Sequence, residues 1–154
     1  MSESDEEMLI QKAIAAFNEV ITASALDEFA RTAALAIALD GLVSAYNATT
    51  DHEPDEGADA PRGDFPSLLR QIGPAFPSLG SYPDVDTLDG FDQEIGTGDA
   101  IDDIADIARD LADVLWYFDQ RRPATAIWEY RFGYQSHWGQ HLHDLRRFLH
   151  RRLT

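Results

Sequence analysis

Apolar side chains recur at three- and four-residue steps through four stretches of this chain, and each stretch is predicted as an α-helix. Over residues 5–22 the stripe runs through Ile10, Ala13, Ile14, Phe17 and Ile21. Over residues 26–49 the helix is alanine-rich and apolar nearly all round, with Phe29, Leu35, Ile37, Leu39 and Leu42 pointing in different directions. So little polar face predicts a central, buried helix, capped by Ser24 or Asp27. Over residues 99–121 a clean stripe of Ile101, Ile104, Ile107, Leu111, Val114 and Phe118 opposes a face of aspartates, with Thr97 or Asp99 as the cap. Pro123 opens the last predicted helix, residues 124–152, with Ile127, Tyr134, Trp138, Leu142 and Leu145 on its stripe.

The stretch between the second and third long helices has no such period. Residues 51–64 carry acids, prolines and glycines and read as a loop. Residues 64–72 read as a short helix, with Asp64 as cap and Pro66 in the first turn. Residues 75–98 hold scattered apolar residues (Phe76, Leu79, Tyr82, Val85) that would pin an irregular segment over its neighbours. The expected fold is therefore all-α: one domain, an up-down four-helix bundle with an irregular, partly helical crossover over residues 51–98. The short break at residues 120–122 makes the last two helices an antiparallel hairpin. That hairpin sets Asp113 near Arg131, and Asp103 and Asp106 near the His137–His141 turn.

Charge narrows the partners. There are 28 acids against 12 bases, a net charge of −16, which repels nucleic acid, anionic membranes and phosphorylated substrates. The balance is polarised: 26 of the acids lie in residues 1–120, and 7 of the bases lie in residues 121–154. A basic last helix lying on its own acidic neighbours accounts for this, and arginines favour a helix C-terminus. Cysteine is absent, which excludes disulfides, thiolate metal sites and a thiol nucleophile. The acidic N-terminus has no apolar segment behind it, and the longest strongly apolar run, residues 33–39, is too short for a bilayer. A cytoplasmic protein without membrane or nucleic-acid partners is the expectation.

Candidate chemistry concentrates in the last thirty residues, which hold two of the three tryptophans and four of the five histidines. His137 and His141 stand four apart, a spacing at which two imidazoles reach one metal ion. Asp103 and Asp106 from the facing helix could complete a mixed nitrogen–oxygen shell. The bland alternative pairs the histidines with those same aspartates. Trp128, Phe132, Tyr134 and Trp138 form an aromatic band, either core or the wall of a small-ligand pocket with Arg131. Gly133 and Gly139, costly inside a helix, suggest close approach of a neighbour or a bulky ring. Asp40, inside the most apolar helix, is paired to an arginine such as Arg131 or Arg109 or lies at the bundle surface, or else is a ligand anchor or general base. The aspartates at 102, 103, 106, 110 and 113 also evoke helical nucleotide pyrophosphohydrolases, but those hold magnesium between acids of two helices. Here the acids lie on one helix, so a solvated or salt-bridged face is preferred.

The run Asp102-Asp-Ile-Ala-Asp-Ile-Ala-Arg-Asp-Leu111, then Ala126-Ile-Trp-Glu-Tyr-Arg-Phe132, then His137-Trp-Gly139 resembles a bacterial domain-of-unknown-function family, numbered 5063. The resemblance is best over residues 99–150, and departs from the family pattern at Ala108, where the family carries an aromatic. It implies a small all-helical bacterial protein and assigns no activity and no catalytic residues. No catalytic constellation appears anywhere in the chain. The sequence thus points to a non-enzymatic protein–protein interaction or regulatory module, homo-oligomeric or with a protein partner, needing no cofactor. A bundle binding a divalent metal or small ligand through the His/Asp cluster is the alternative.

Overall fold

The computed structural model describes residues 1–23 and 25–154. Four of its six α-helices start where short polar side chains replace missing intrahelical partners. Ser2 caps α1 (Glu3–Thr22) in a reciprocal box with Asp5. Asp27 caps α2 (Glu28–Ala48) and Asp64 caps α3 (Phe65–Ile72). Asp99 caps α4 (Ala100–Asp119), accepting from the backbone N–H groups of Ile101 and Asp102. The other predicted cap for α2, Ser24, lies outside the described residues. A single 3₁₀ turn, Gly73–Ala75, follows α3. The chain is mostly helical, with six α-helices and one two-stranded sheet among the described residues.

Two expectations give way here. The last helix is not continuous. It divides into α5 (Pro123–Ser136) and α6 (Trp138–Leu153), with His137 leaving helical dihedrals at φ −148°, ψ −80°. The crossover is not free of strands: β1 (Ser81–Asp84) pairs antiparallel with β2 (Gly96–Asp99), Tyr82 opposite Gly98. Four-residue strands, one containing Pro83 and the other mostly glycine and polar residues, are too short to show a period of two. Gly98 has a steric purpose, because a Cβ there would sit 2.4 Å from the Tyr82 ring.

The centre belongs to α4, not to α2. Helix α4 touches α1, α3, α5, α6 and β2, and Ile104, Ile107 and Leu111 on it are fully buried. The α1–α2 hairpin packs against α5 and α6 through Ile10, Ile14 and Phe17 on one arm and Leu35, Leu39 and Leu42 on the other. Burial of each such side chain contributes about 1.5–3 kcal/mol. The opposite face of α2 stays open: Ile37 is 73% exposed and Phe29 67%. By length and composition alone α2 could cross a membrane, yet its inner face is built into the core.

Polar anchors hold the non-helical chain down. Arg31, almost fully buried, donates to the carbonyls of Ala23 and Leu26 and to that of Ala75, tying the α1–α2 turn to the 3₁₀ turn. Glu6, buried on α1, accepts from the backbone and hydroxyl of Thr50 and pairs with His52 at 2.5 Å, fixing the start of the crossover. Burial opposes the Glu6 charge, but the His52 and Thr50 bonds outweigh it and hold its carboxyl below the usual range. A depressed folded pKa means stability that is complete above the unfolded value near 4.5 and is lost as pH falls through the lower folded value. Glu6→Ala should therefore cost roughly 2–3 kcal/mol at neutral pH, where a charge-accepting buried group is removed. The cost should shrink below pH ~4. Denaturant melts of both proteins across that range check it, and a pH-independent difference would reject the assignment.

Candidate functional site

The break at His137 is a packing event. Trp138 is fully buried and its ring swings back under α5, where a Cβ on Gly133 would meet the indole at 2.7 Å. A Cβ on Gly139 would lie 2.0 Å from the Tyr134 carbonyl oxygen. Only glycine at both positions lets the chain turn this tightly, and the turn swings His137 and His141 onto α4.

There they meet the aspartate face. His137 Nδ1 is 2.5 Å from Asp110 Oδ2, and His141 Nδ1 is 2.8 Å from Asp103 Oδ1. His141 Nε2 lies 3.5 Å from Asp106 Oδ2, and the two imidazoles meet edge to face with centroids 4.9 Å apart. One ligand atom each from Asp106, His137 and His141 falls within 4.8 Å of the other two. The four residues expected to converge, His137, His141, Asp103 and Asp106, are thus brought together. Asp110 joins them one turn further along α4. Of the solvated and salt-bridged readings of the aspartate face, the salt-bridged one describes it: Asp103 is buried, Asp106, Asp110 and Asp113 are half-covered and paired with Arg109, Arg62 and the histidines, and Asp102 is exposed.

The surroundings are electrostatically crowded. The hydrogen bond to Asp103 raises the His141 pKa above its ordinary value, against partial burial. Tyr82, from β1, donates its hydroxyl to Asp103 Oδ2 at 2.5 Å and stacks on Phe148. Burial and that carboxylate push the phenol pKa up. Beside His137 a polar groove of 260 Å³ is lined by Arg62, Asp110, Asp113, Glu129 and Ser136. Burial raises the pKa of Asp113, partly offset by Arg62, and burial with Asp113 and Asp110 raises that of Glu129.

The other candidates have structural partners. Asp40 is exposed and takes two bonds from Arg146, at 2.8 and 3.1 Å, neither Arg131 nor Arg109. Arg131 does not meet Asp113. Its guanidinium donates to the carbonyls of Tyr46 and Thr49 and to Asp51, closing the C-terminus of α2, and lies over the Tyr46 ring. Asp113 meets Arg62 from the crossover at 3.2 Å. Trp138 is core. Tyr134 is half-buried between Tyr46 and Trp138 and bonds His143. Trp128 stacks on Phe132, which is half-exposed. Sequence reasoning missed Arg62 and Tyr82, because crossover residues have no period that would place them over α4, and it missed Glu129 on α5. The proximity of α5 to the α4 aspartates was a signal for Glu129.

Residues 9–153 match the profile of the family described as "Domain of unknown function (DUF5063)". The chain belongs to the DUF5063 family. The match runs well beyond the resemblant segment 99–150, through the α1–α2 hairpin and the whole crossover. This DUF5063 chain also resembles a solved protein, BF1032 from Bacteroides fragilis, with a TM-score of 0.70 at 14% identity over 94% of this chain and 87% of that one. At such identity the likeness speaks for the fold alone. No curated protein matches this DUF5063 chain.

Proposed function

We propose that this DUF5063 protein is a non-enzymatic interaction module that pairs with a second copy of itself through the outer face of α1 and α2. Its framework is read as a four-helix bundle, with α5 and α6 sharing the fourth position. The observation that carries the reading is the open groove of 880 Å³ along α1 and α2, lined by Ala13, Ala16, Leu26, Ile37, Gly41 and their neighbours. Apolar surface of this extent on a charged, water-soluble exterior marks an interaction site. Depletion of charge at its centre is the compositional sign of an interface. Only Lys12 and Glu19 bring charge to the lining, one of each sign, in a chain of net −16.

Three arguments favour a second copy as the occupant. The acidic body, with 26 acids against 5 bases over residues 1–120, repels its own copy, and this nearly uncharged face is a part of that body where two copies approach without the penalty. Lys12 and Glu19 are both exposed and stand seven residues apart on α1, one on each side of Ala16. A two-fold axis near Ala16 would set Lys12 of each copy against Glu19 of the other, the reciprocity that an isologous contact requires. Small residues, among them Gly41, whose missing Cβ faces open space, would permit close helix approach. An anionic membrane as occupant is disfavoured by the same net charge.

Sedimentation of the purified protein should show a dimer at micromolar concentration that tightens with added salt, as screening removes the repulsion between like-charged copies. Ile37→Glu should give a monomer as stable as the unaltered protein diluted to monomer, because that side chain is outside the core. Lys12→Glu should weaken the dimer, and adding Glu19→Lys should restore it. A monomer throughout, or a charge swap without rescue, would reject self-pairing. Binding of a monomer to lipid vesicles would reassign the face to a membrane.

A further inference from the structure

The α4–α6 seam carries a second and independent inference. Each of its two histidines presents Nδ1 to an aspartate: His137 to Asp110 and His141 to Asp103. An ionised carboxylate can only accept a hydrogen bond, so the Nδ1 atoms carry the protons and donate. In the neutral imidazoles the lone pair is then on Nε2. This is the arrangement of metal-ligating histidines, whose other ring nitrogen donates to a carboxylate that fixes tautomer and ring orientation. It occurs here twice, from the junction residue His137 and from His141 on the first turn of α6, facing aspartates two turns apart on α4. Asp106 stands between the two pairs, with Oδ2 3.5 Å from His141 Nε2.

We propose that Asp106, His137 and His141 form a binding site for a divalent transition-metal ion of the zinc type, with Asp103 and Asp110 as positioning residues. The ligand atoms already lie within 4.8 Å of one another, so small rotations bring them onto one ion. Two imidazoles and one carboxylate select zinc-like ions over magnesium and calcium, which require oxygen shells. Tyr82 extends the support outward by holding the second oxygen of Asp103. Three protein ligands leave a coordination position free. His137 also lines the polar groove beside Arg62 and Glu129, which gives the ion a path from solvent. The α1–α2 face plays no part in this site.

Zinc titration of the chelator-stripped, full-length protein by calorimetry tests the proposal, with magnesium titrated in parallel. One zinc per chain is expected, and magnesium should not compete. His137→Ala and His141→Ala should each abolish that binding. Asp110→Asn should leave the stoichiometry at one and weaken affinity roughly 10–100-fold. Should a variant fold poorly, imidazole nitrogen signals of the unaltered protein give the same answer: zinc must shift His137 and His141 and leave His52 and His150 in place. No zinc uptake by the native protein overturns the proposal. So does equal uptake by the protein lacking both histidines, which would trace binding to the acidic surface.

Discussion

Trp138→Ala should destabilise the protein by about 3–5 kcal/mol, the range for emptying a fully buried large aromatic site. Trp138 has no exposed surface and packs on the Tyr130 and Tyr134 rings at 5.1 and 5.2 Å. Its indole N–H is buried without a partner, so the ring is retained for its volume and contacts rather than for a hydrogen bond. For a chain of this length the loss corresponds to a fall of roughly 6–20 °C in melting temperature. The void would open under Gly133, at the junction that presents His137, so the imidazole signals of His137 and His141 should also broaden or shift. Thermal melts read the first effect and NMR the second. A loss below about 1 kcal/mol would mean that the junction closes over the cavity, and that Trp138 is not what holds it.

Gly139→Ala is the smaller change in atoms and tests the same junction from the backbone. The added methyl would lie 2.0 Å from the Tyr134 carbonyl oxygen and 2.9 Å from that carbonyl carbon. Backbone cannot step aside as a flexible side chain can, so the α5–α6 turn must reopen, at a cost of about 3 kcal/mol or more. Alanine is otherwise the better helix former by roughly 1 kcal/mol, so the intrinsic preference and the tertiary clash predict opposite signs. Urea denaturation decides between them. An unchanged or stabilised protein would show that α5 and α6 can join into one helix, as the periodicity alone suggests.

Much of the candidate site was readable before the structure. The four-residue step between His137 and His141 and the short turn at residues 120–122 were enough to set both histidines against Asp103 and Asp106. What could not be read was how they meet. A continuous helix would keep both imidazoles on one straight face. The break at His137 instead pairs each with a separate carboxylate, and Asp110 becomes the partner of the first. Arg62 was invisible as a neighbour because residues 51–64 carry no register, and Glu129 was signalled only by the proximity of α5 to the α4 aspartates. The assignment of Arg131 to Asp113 failed for a related reason. The unsatisfied carbonyls at the end of α2 and the Asp51 carboxylate compete for that guanidinium and win.

The local pattern by itself determined where α2, α3 and α4 begin and which residues of α4 enter the core. Caps such as Asp27, Asp64 and Asp99, and stripes such as Ile104, Ile107 and Leu111, act over one or two turns, within reach of the chain's own neighbours. Only the tertiary structure decided which helix is central. Both α2 and α4 are apolar enough to be buried, and a hydrophobic side chain is stabilised by any apolar neighbour, so composition does not rank them. The crossover, α5 and α6 wrap α4 and leave Ile37 and Phe29 of α2 in solvent. The helix that reads as the middle of the fold therefore presents its open face, and the aspartate helix that reads as surface lies at the centre, its carboxylates paired with histidines and arginine. Hydrophobicity specifies that a surface is to be covered, and the packing of distant segments specifies what covers it.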